Sequence, residues 1–147
     1  MNISRVLSAL NARFHVPYSA LETIHHETMI PIAAKDLHEV VALLQNKLHI
    51  MHLTTITAQI TAENPDEILV YYHFWDGDGF TFAINLPVQD PQLPSVIDLI
   101  PGADFYEREV AEMYGIHFSG RTNTPPLLLP DDWEGDPPMR RKEKNDD

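Results

Sequence analysis

The sequence predicts an α+β fold: a small mixed or antiparallel sheet packed by helices, followed by an extended C-terminal tail. Three observations carry this. The periodicities run helix, strand, helix, three strands and a short helix, which departs from the strict β/α alternation of a doubly wound sheet. Two β-rich stretches, Ile68 to Trp75 (ILVYYHFW) and Phe80 to Leu86 (FTFAINL), flank Asp76, Gly77, Asp78 and Gly79, residues that meet the backbone demands of a tight hairpin. After Gly120 the prolines become so frequent that neither a helical nor a strand period survives. The chain therefore divides into an α+β domain over residues 1–120 and a tail over 121–147.

Taken in order, residues 1–14 place Ile3, Val6, Leu7 and Leu10 on one helical stripe, and Pro17 stops the helix. Leu21 to Ile32 reads as extended, with Pro31 marking a strand end. His25 and His26 are adjacent there, so on a strand they point to opposite faces and make no metal pair. Lys35 to Leu48 is the clearest amphipathic helix, with Leu37, Val40, Val41, Leu44 and Leu48 on the buried side. Ile50 to Thr61 is rich in β-formers; His49 and His52 beside it have no third ligand at a recognisable spacing. The prolines of Pro87 to Pro94 argue for a loop rather than a strand.

Pro101 to Gly120 (PGADFYEREVAEMYGIHFSG) is the densest stretch. Asp104 with Glu107 three residues on has the capping-box spacing, which predicts a helix from Phe105 with Asp104 as its N-cap. Asp104 to Arg108 and Arg108 to Glu112 are four apart and suited to pairing, and Gly115 is a natural left-handed stop. Spacing alone favours a capped surface helix bearing solvated charges, because exposed ion pairs are cheap and common. In the tail, Leu127 to Leu129 and Trp133 cost free energy if left together in water, so they are either buried on the domain or anchor a partner.

Composition sets limits on function. The chain has 147 residues, 44% of them apolar, and a formal net charge of −12, which suits one domain and opposes binding to nucleic-acid phosphates or anionic lipid. There is no cysteine, which removes disulfides, cysteine nucleophiles, zinc–thiolate sites and cysteine-ligated iron–sulfur clusters from this chain. With neither a long apolar run nor a signal-peptide pattern, a cytoplasmic protein is the expectation. Glycine-rich phosphate loops and a GxSxG elbow are absent, and no catalytic triad or carboxylate pair stands out.

Residues 107–120, EREVAEMYGIHFSG, closely resemble the signature of the 30 kDa subunit family of respiratory NADH dehydrogenase, also called the C-subunit family of NADH-quinone oxidoreductase. Glu107, Arg108, Glu109, Glu112, Met113, Tyr114, Gly115, Ile116, Phe118 and Gly120 occupy matching positions. The approach, residues 94–109, and the tail segments LLLPDDWEG and PPMRRKE resemble the family as well. Arg121, Thr122 and Asn123 depart from its usual run after Gly120, so counterparts in energy-converting, membrane-bound nickel–iron hydrogenases and in dehydrogenases with other donors stay open.

The resemblance implies a non-catalytic peripheral-arm subunit of a complex I-like oxidoreductase, on the cytoplasmic side of the membrane and attached through partners. It implies no cofactor in this chain, with iron–sulfur clusters and a nickel–iron centre or flavin in the partners. Those partners would be a hydrogenase-like large subunit and an iron–sulfur small subunit. Glu107, Arg108, Glu109, Glu112, Tyr114, Gly115, Phe118, Gly120, Leu128, Trp133, Arg140 and Arg141 are then the expected structural or interface residues. Two alternatives compete with this reading: a free-standing acidic adaptor, and a small hydrolase with an unmarked carboxylate site.

Overall fold

A computed structural model describes residues 3–14, 22–24, 27–121 and 125–140. His25, His26, Arg141 and the charged terminus beyond it lie outside the described residues. The elements are helix α1 (Ile3–Phe14), strands β1 (Glu22–Ile24) and β2 (Glu27–Pro31), helix α2 (Leu37–Leu43), strands β3 (Leu53–Gln59), β4 (Glu67–Trp75), β5 (Gly79–Pro87) and β6 (Gln92–Pro94), helix α3 (Asp104–Tyr114) and strand β7 (His117–Ser119). The fold is α+β, as the periodicities predict.

The hairpin organises the main sheet. Alternation along β4 sends Ile68, Val70, Tyr72 and Phe74 inward, and they stand opposite Leu86, Ile84, Phe82 and Phe80 of β5. Pairing of inward with inward residues fixes the register, because a slip of one residue would expose the whole set. Phe74, Phe80 and Phe82 then cluster with centroids 5.6–5.7 Å apart. The turn closes with Asp76 N–H donating to Asp78 O at 3.1 Å and Gly77 at φ 75°.

The sheet order is β1-β2-β5-β4-β3, with β2 parallel to β5 and every other pair antiparallel. Since β4 and β5 lie between them, β2 and β3 must be joined across the sheet, and α2 makes that crossing. A 3₁₀ turn (Ala34–Asp36) leads into α2 and a π turn (Leu44–Leu48) leads out, so one helical pattern in sequence becomes three hydrogen-bonding regimes. His49 ends it in the left-handed region at φ 58°. The buried stripes of α1, α2 and α3 share one apolar cluster with the sheet.

One expectation is overturned outside the site. The proline-rich segment 87–94 contains β6, which pairs in parallel with β7. Pro94 is the last residue of a short two-stranded sheet, where a missing N–H is tolerated, so proline content alone was a poor veto. Ser95 N–H donates to Ser119 O and His117 N–H to Pro91 O, extending the pairing at both ends. This small sheet fixes the segments on either side of α3.

Candidate functional site

Helix α3 does not begin with a capping box. Ala103 precedes it in a helical conformation, and a 3₁₀ turn at Pro101–Ala103 runs straight into it, so Asp104 is already inside the helix and caps nothing. Freed from the cap, Glu107 turns inward and is 0% exposed. It accepts hydrogen bonds from Ser95 Oγ at 2.7 Å, Val96 N at 2.8 Å and Arg121 Nη1 at 3.0 Å. Arg121, with its side chain 8% exposed, also pairs with Asp104.

Burial pushes the Glu107 carboxyl above its ordinary pKa, against the opposing effects of Val96 N–H, Ser95 O–H and Arg121. Tyr72 lies 0% exposed in the core with no hydrogen-bond partner for its hydroxyl among the described residues. Burial drives its pKa well up, and the negative charge of Glu107 adds to that.

Arg108 faces the other way. Its Nη1 is 3.3 Å from Asp104 Oδ2, its Nη2 donates to Pro126 O at 3.1 Å, and its guanidinium lies 5.5 Å from the Phe105 ring centroid. The spacing Asp104–Arg108 is therefore used as an ion pair. Glu112 instead receives the N–H groups of Leu127, Leu128 and Leu129, the latter two at 2.8 and 3.2 Å. Burial tends to raise the Glu112 carboxyl, but those three N–H groups and the charge of Arg108 outweigh it and hold the pKa below the ordinary carboxylate range.

The end of α3 is built with the tail as well. Gly115 takes φ 73°, and a Cβ there would lie 2.9 Å from Pro137 Cγ, so both the conformation and the close approach require glycine. Arg140 Nε donates to Tyr114 O and its Nη1 to Val88 O, both at 2.6 Å, placing a cation on the helix C-terminus. Met139 N–H donates to Met113 O at 2.9 Å. Tyr114 donates its hydroxyl to Ala58 O at 2.8 Å, tying α3 to β3, and burial raises its pKa. Phe118 is buried on β7 beside Leu93, and Gly120 at φ 84° turns the chain so that Arg121 can reach back.

The expected residues thus sort by geometry. Glu107, Arg108, Glu112, Tyr114, Gly115 and Arg140 converge on α3 and on the tail laid against it. Phe118 and Gly120 shape the exit from the helix. Glu109, Leu128 and Trp133 are exposed: Leu128 is 60% exposed and Trp133 46%, with the indole Nε1 donating to Asp136 O at 3.2 Å. Arg141 lies outside the described residues. Sequence reasoning missed Ser95 and Arg121, and with Arg121 its pairing to Asp104; the sequence signal for Arg121 was its departure from the family pattern. Among the described residues, no three histidine or acidic side chains come together in a group able to hold a metal ion, and no helix is long and apolar enough to cross a membrane.

Residues 30–147 match the family described as respiratory-chain NADH dehydrogenase, 30 Kd subunit. The C subunit of the F(420)H(2) dehydrogenase of Methanosarcina mazei is 33% identical over 106 residues, 70% of this chain and 66% of that protein. The chain spans less than half the length of the NADH-quinone oxidoreductase C-subunit proteins it also matches. A solved trypsin-resistant fragment of Nqo5 superposes with a TM-score of 0.69 at 27% identity, covering 86% of this chain and 100% of the fragment. A chain of the membrane-bound sulfane sulfur reductase, an archaeal respiratory membrane complex, shares the fold with a TM-score of 0.66 at 19% identity, covering 94% and 79%.

Proposed function

The chain belongs to the family of the 30 kDa subunit of respiratory-chain NADH dehydrogenase, and from that premise we propose that it is a non-catalytic peripheral-arm subunit of a complex I-like oxidoreductase. It assembles against a hydrogenase-like large subunit and an iron–sulfur small subunit, on the cytoplasmic side of the membrane, and reaches the membrane only through them. The electron path runs through cofactors of those partners, from NADH or another donor to quinone, or between ferredoxin and protons in an energy-converting hydrogenase.

The observation that carries this reading is how the signature helix is used. Its charges are spent on internal structure: Glu107 on the segment before the helix and on Arg121, Glu112 on the tail, Arg108 on both Asp104 and Pro126. Glu107 is closed off from solvent and Glu112 is bound by three tail N–H groups, so both serve as fasteners and neither is open to a substrate. The result is a helix and tail fastened together with Leu128 and Trp133 turned outward, which suits the task of keeping redox partners in register.

The test is affinity purification of the tagged full-length chain from its native source. Co-purification of a large and an iron–sulfur subunit in equal amounts, with no turnover by the chain alone, is the expected result. Recovery of a fully active complex lacking this chain would overturn the reading.

A further inference from the structure

Of the four acidic residues in helix α3, Glu109 alone has no assigned work, Asp104 being paired with Arg108 and Arg121. Glu107 is buried and Glu112 holds the tail, whereas Glu109 is exposed and has no hydrogen bond or ion pair among the described residues. It stands on the rim of a recess of about 380 Å³ lined by Val110, Met113 and Tyr114 of α3, Ala58 of β3, and Leu128 and Met139 of the tail. The lining is mainly apolar.

Leu128 and Met139 are 60% and 52% exposed, and both line this opening. Burying an apolar side chain of a partner in this hollow would take the exposed faces of both residues out of water, a favourable transfer. β3 is also the edge strand of the main sheet, so this side of the molecule is not closed by another strand. The recess has two walls of different origin: α3 and β3 form one, and the other exists only because Glu112 and Arg140 fasten the tail.

We infer that this recess is the docking site for a segment of a partner subunit that inserts an apolar side chain between Leu128 and Met139 and places an adjacent lysine or arginine on Glu109. The charge argument selects the basic neighbour: the opening carries the exposed Glu109 carboxylate on a chain of net charge −12. The adaptable thioethers of Met113 and Met139 suit an inserted side chain that must be accommodated rather than matched rigidly. This inference rests on the proposed role in a multi-subunit complex and names the surface that performs it.

The experiment compares full-length wild type, Glu109→Gln, Glu109→Lys and Leu128→Ala for retention of the co-purified redox subunits as salt is raised. Circular dichroism melting checks that each variant is folded. Folded Glu109→Gln and Leu128→Ala are expected to lose about tenfold in retention, Glu109→Lys more, and Glu109→Gln to flatten the salt dependence seen with wild type. Wild-type retention with no effect of any variant overturns the docking site and leaves the proposed role standing. Failure of wild type to retain any redox subunit overturns both. Restoration of Glu109→Lys by Arg141→Glu or Lys142→Glu overturns the inference in favour of the chain's own terminus as occupant, and a dimer of this chain that Glu109→Lys dissociates overturns it in favour of a second copy.

Discussion

Replacing Arg121 with alanine tests the buried charge network most directly. Arg121 is 8% exposed and its Nη1 lies 3.0 Å from Glu107, itself 0% exposed. The substitution leaves that carboxylate in the core with only the Ser95 hydroxyl and Val96 N–H. Removing one partner of a buried ion pair costs about 3–5 kcal/mol, because the remaining charge keeps its desolvation penalty. For a chain of this size that corresponds to a fall in Tm on the order of 10 °C.

Glu107 can escape the penalty by taking a proton, and this gives the prediction its signature. Its folded pKa is raised, chiefly by burial. Such a carboxyl stabilises the fold fully below its unfolded pKa, and that contribution is lost as pH rises through the folded value. Without Arg121 the folded pKa climbs further, so the loss should be smaller at about pH 5 than at about pH 7.5. Melting of wild type and Arg121→Ala at both pH values, followed by circular dichroism, measures it. Adding Glu107→Gln to Arg121→Ala should recover part of the loss at the higher pH, since a neutral amide has no charge to strand. An equal deficit at both pH values, or no recovery in the double variant, would refute the reasoning.

Four further outcomes follow from the same geometry. Tyr72→Phe removes a buried hydroxyl that has no hydrogen-bond partner among the described residues; it should leave urea stability unchanged or raise it by about 1 kcal/mol, and a loss of that size would show that the hydroxyl is satisfied. Glu112→Gln removes the charge that holds Leu127 to Leu129, so limited proteolysis within the tail should accelerate by about tenfold while the core melts normally. Because the folded pKa of Glu112 is lowered, its hold is present above the unfolded pKa and is lost as pH falls through the folded value, so wild-type tail cleavage should rise on acidification. Gly115→Ala combines a left-handed backbone with a Cβ 2.9 Å from Pro137, and should lower stability by about 1–2 kcal/mol in denaturant melts and loosen the tail to protease.

The legible parts of the fold were those set by local pattern. Alternation and the Asp-Gly steps located the β4–β5 hairpin to within a residue at each end, because inward and outward faces and turn chemistry are all written in adjacent residues. The α2 region was visible as a helix, but its π turn was not, since both forms place Leu44 and Leu48 on nearly the same side. The β6–β7 pair was illegible because its partners are more than twenty residues apart and each strand is three residues long, too short for a period.

At the site the same division holds. The end and glycine stop of α3 could be read from residues 101–115 alone, its start only to within a residue and through a cap that does not form, and family resemblance marked Glu107, Arg108 and Glu109 as a unit. Helical spacing already set the three on different faces and so toward different neighbours; the sequence could not say which neighbours, because those partners come from other parts of the chain. A capping box and an inward carboxylate use the same Asp-to-Glu spacing; Ser95, Val96 and Arg121 decide between them. By itself, then, the sequence determined the α+β class, the hairpin, the helices and the absence of cysteine chemistry, all properties of neighbouring residues or of composition. Only the tertiary structure decided which charge is buried, which fastens the tail and which is left facing outward, since each depends on donors brought together across the fold and on how much water they exclude.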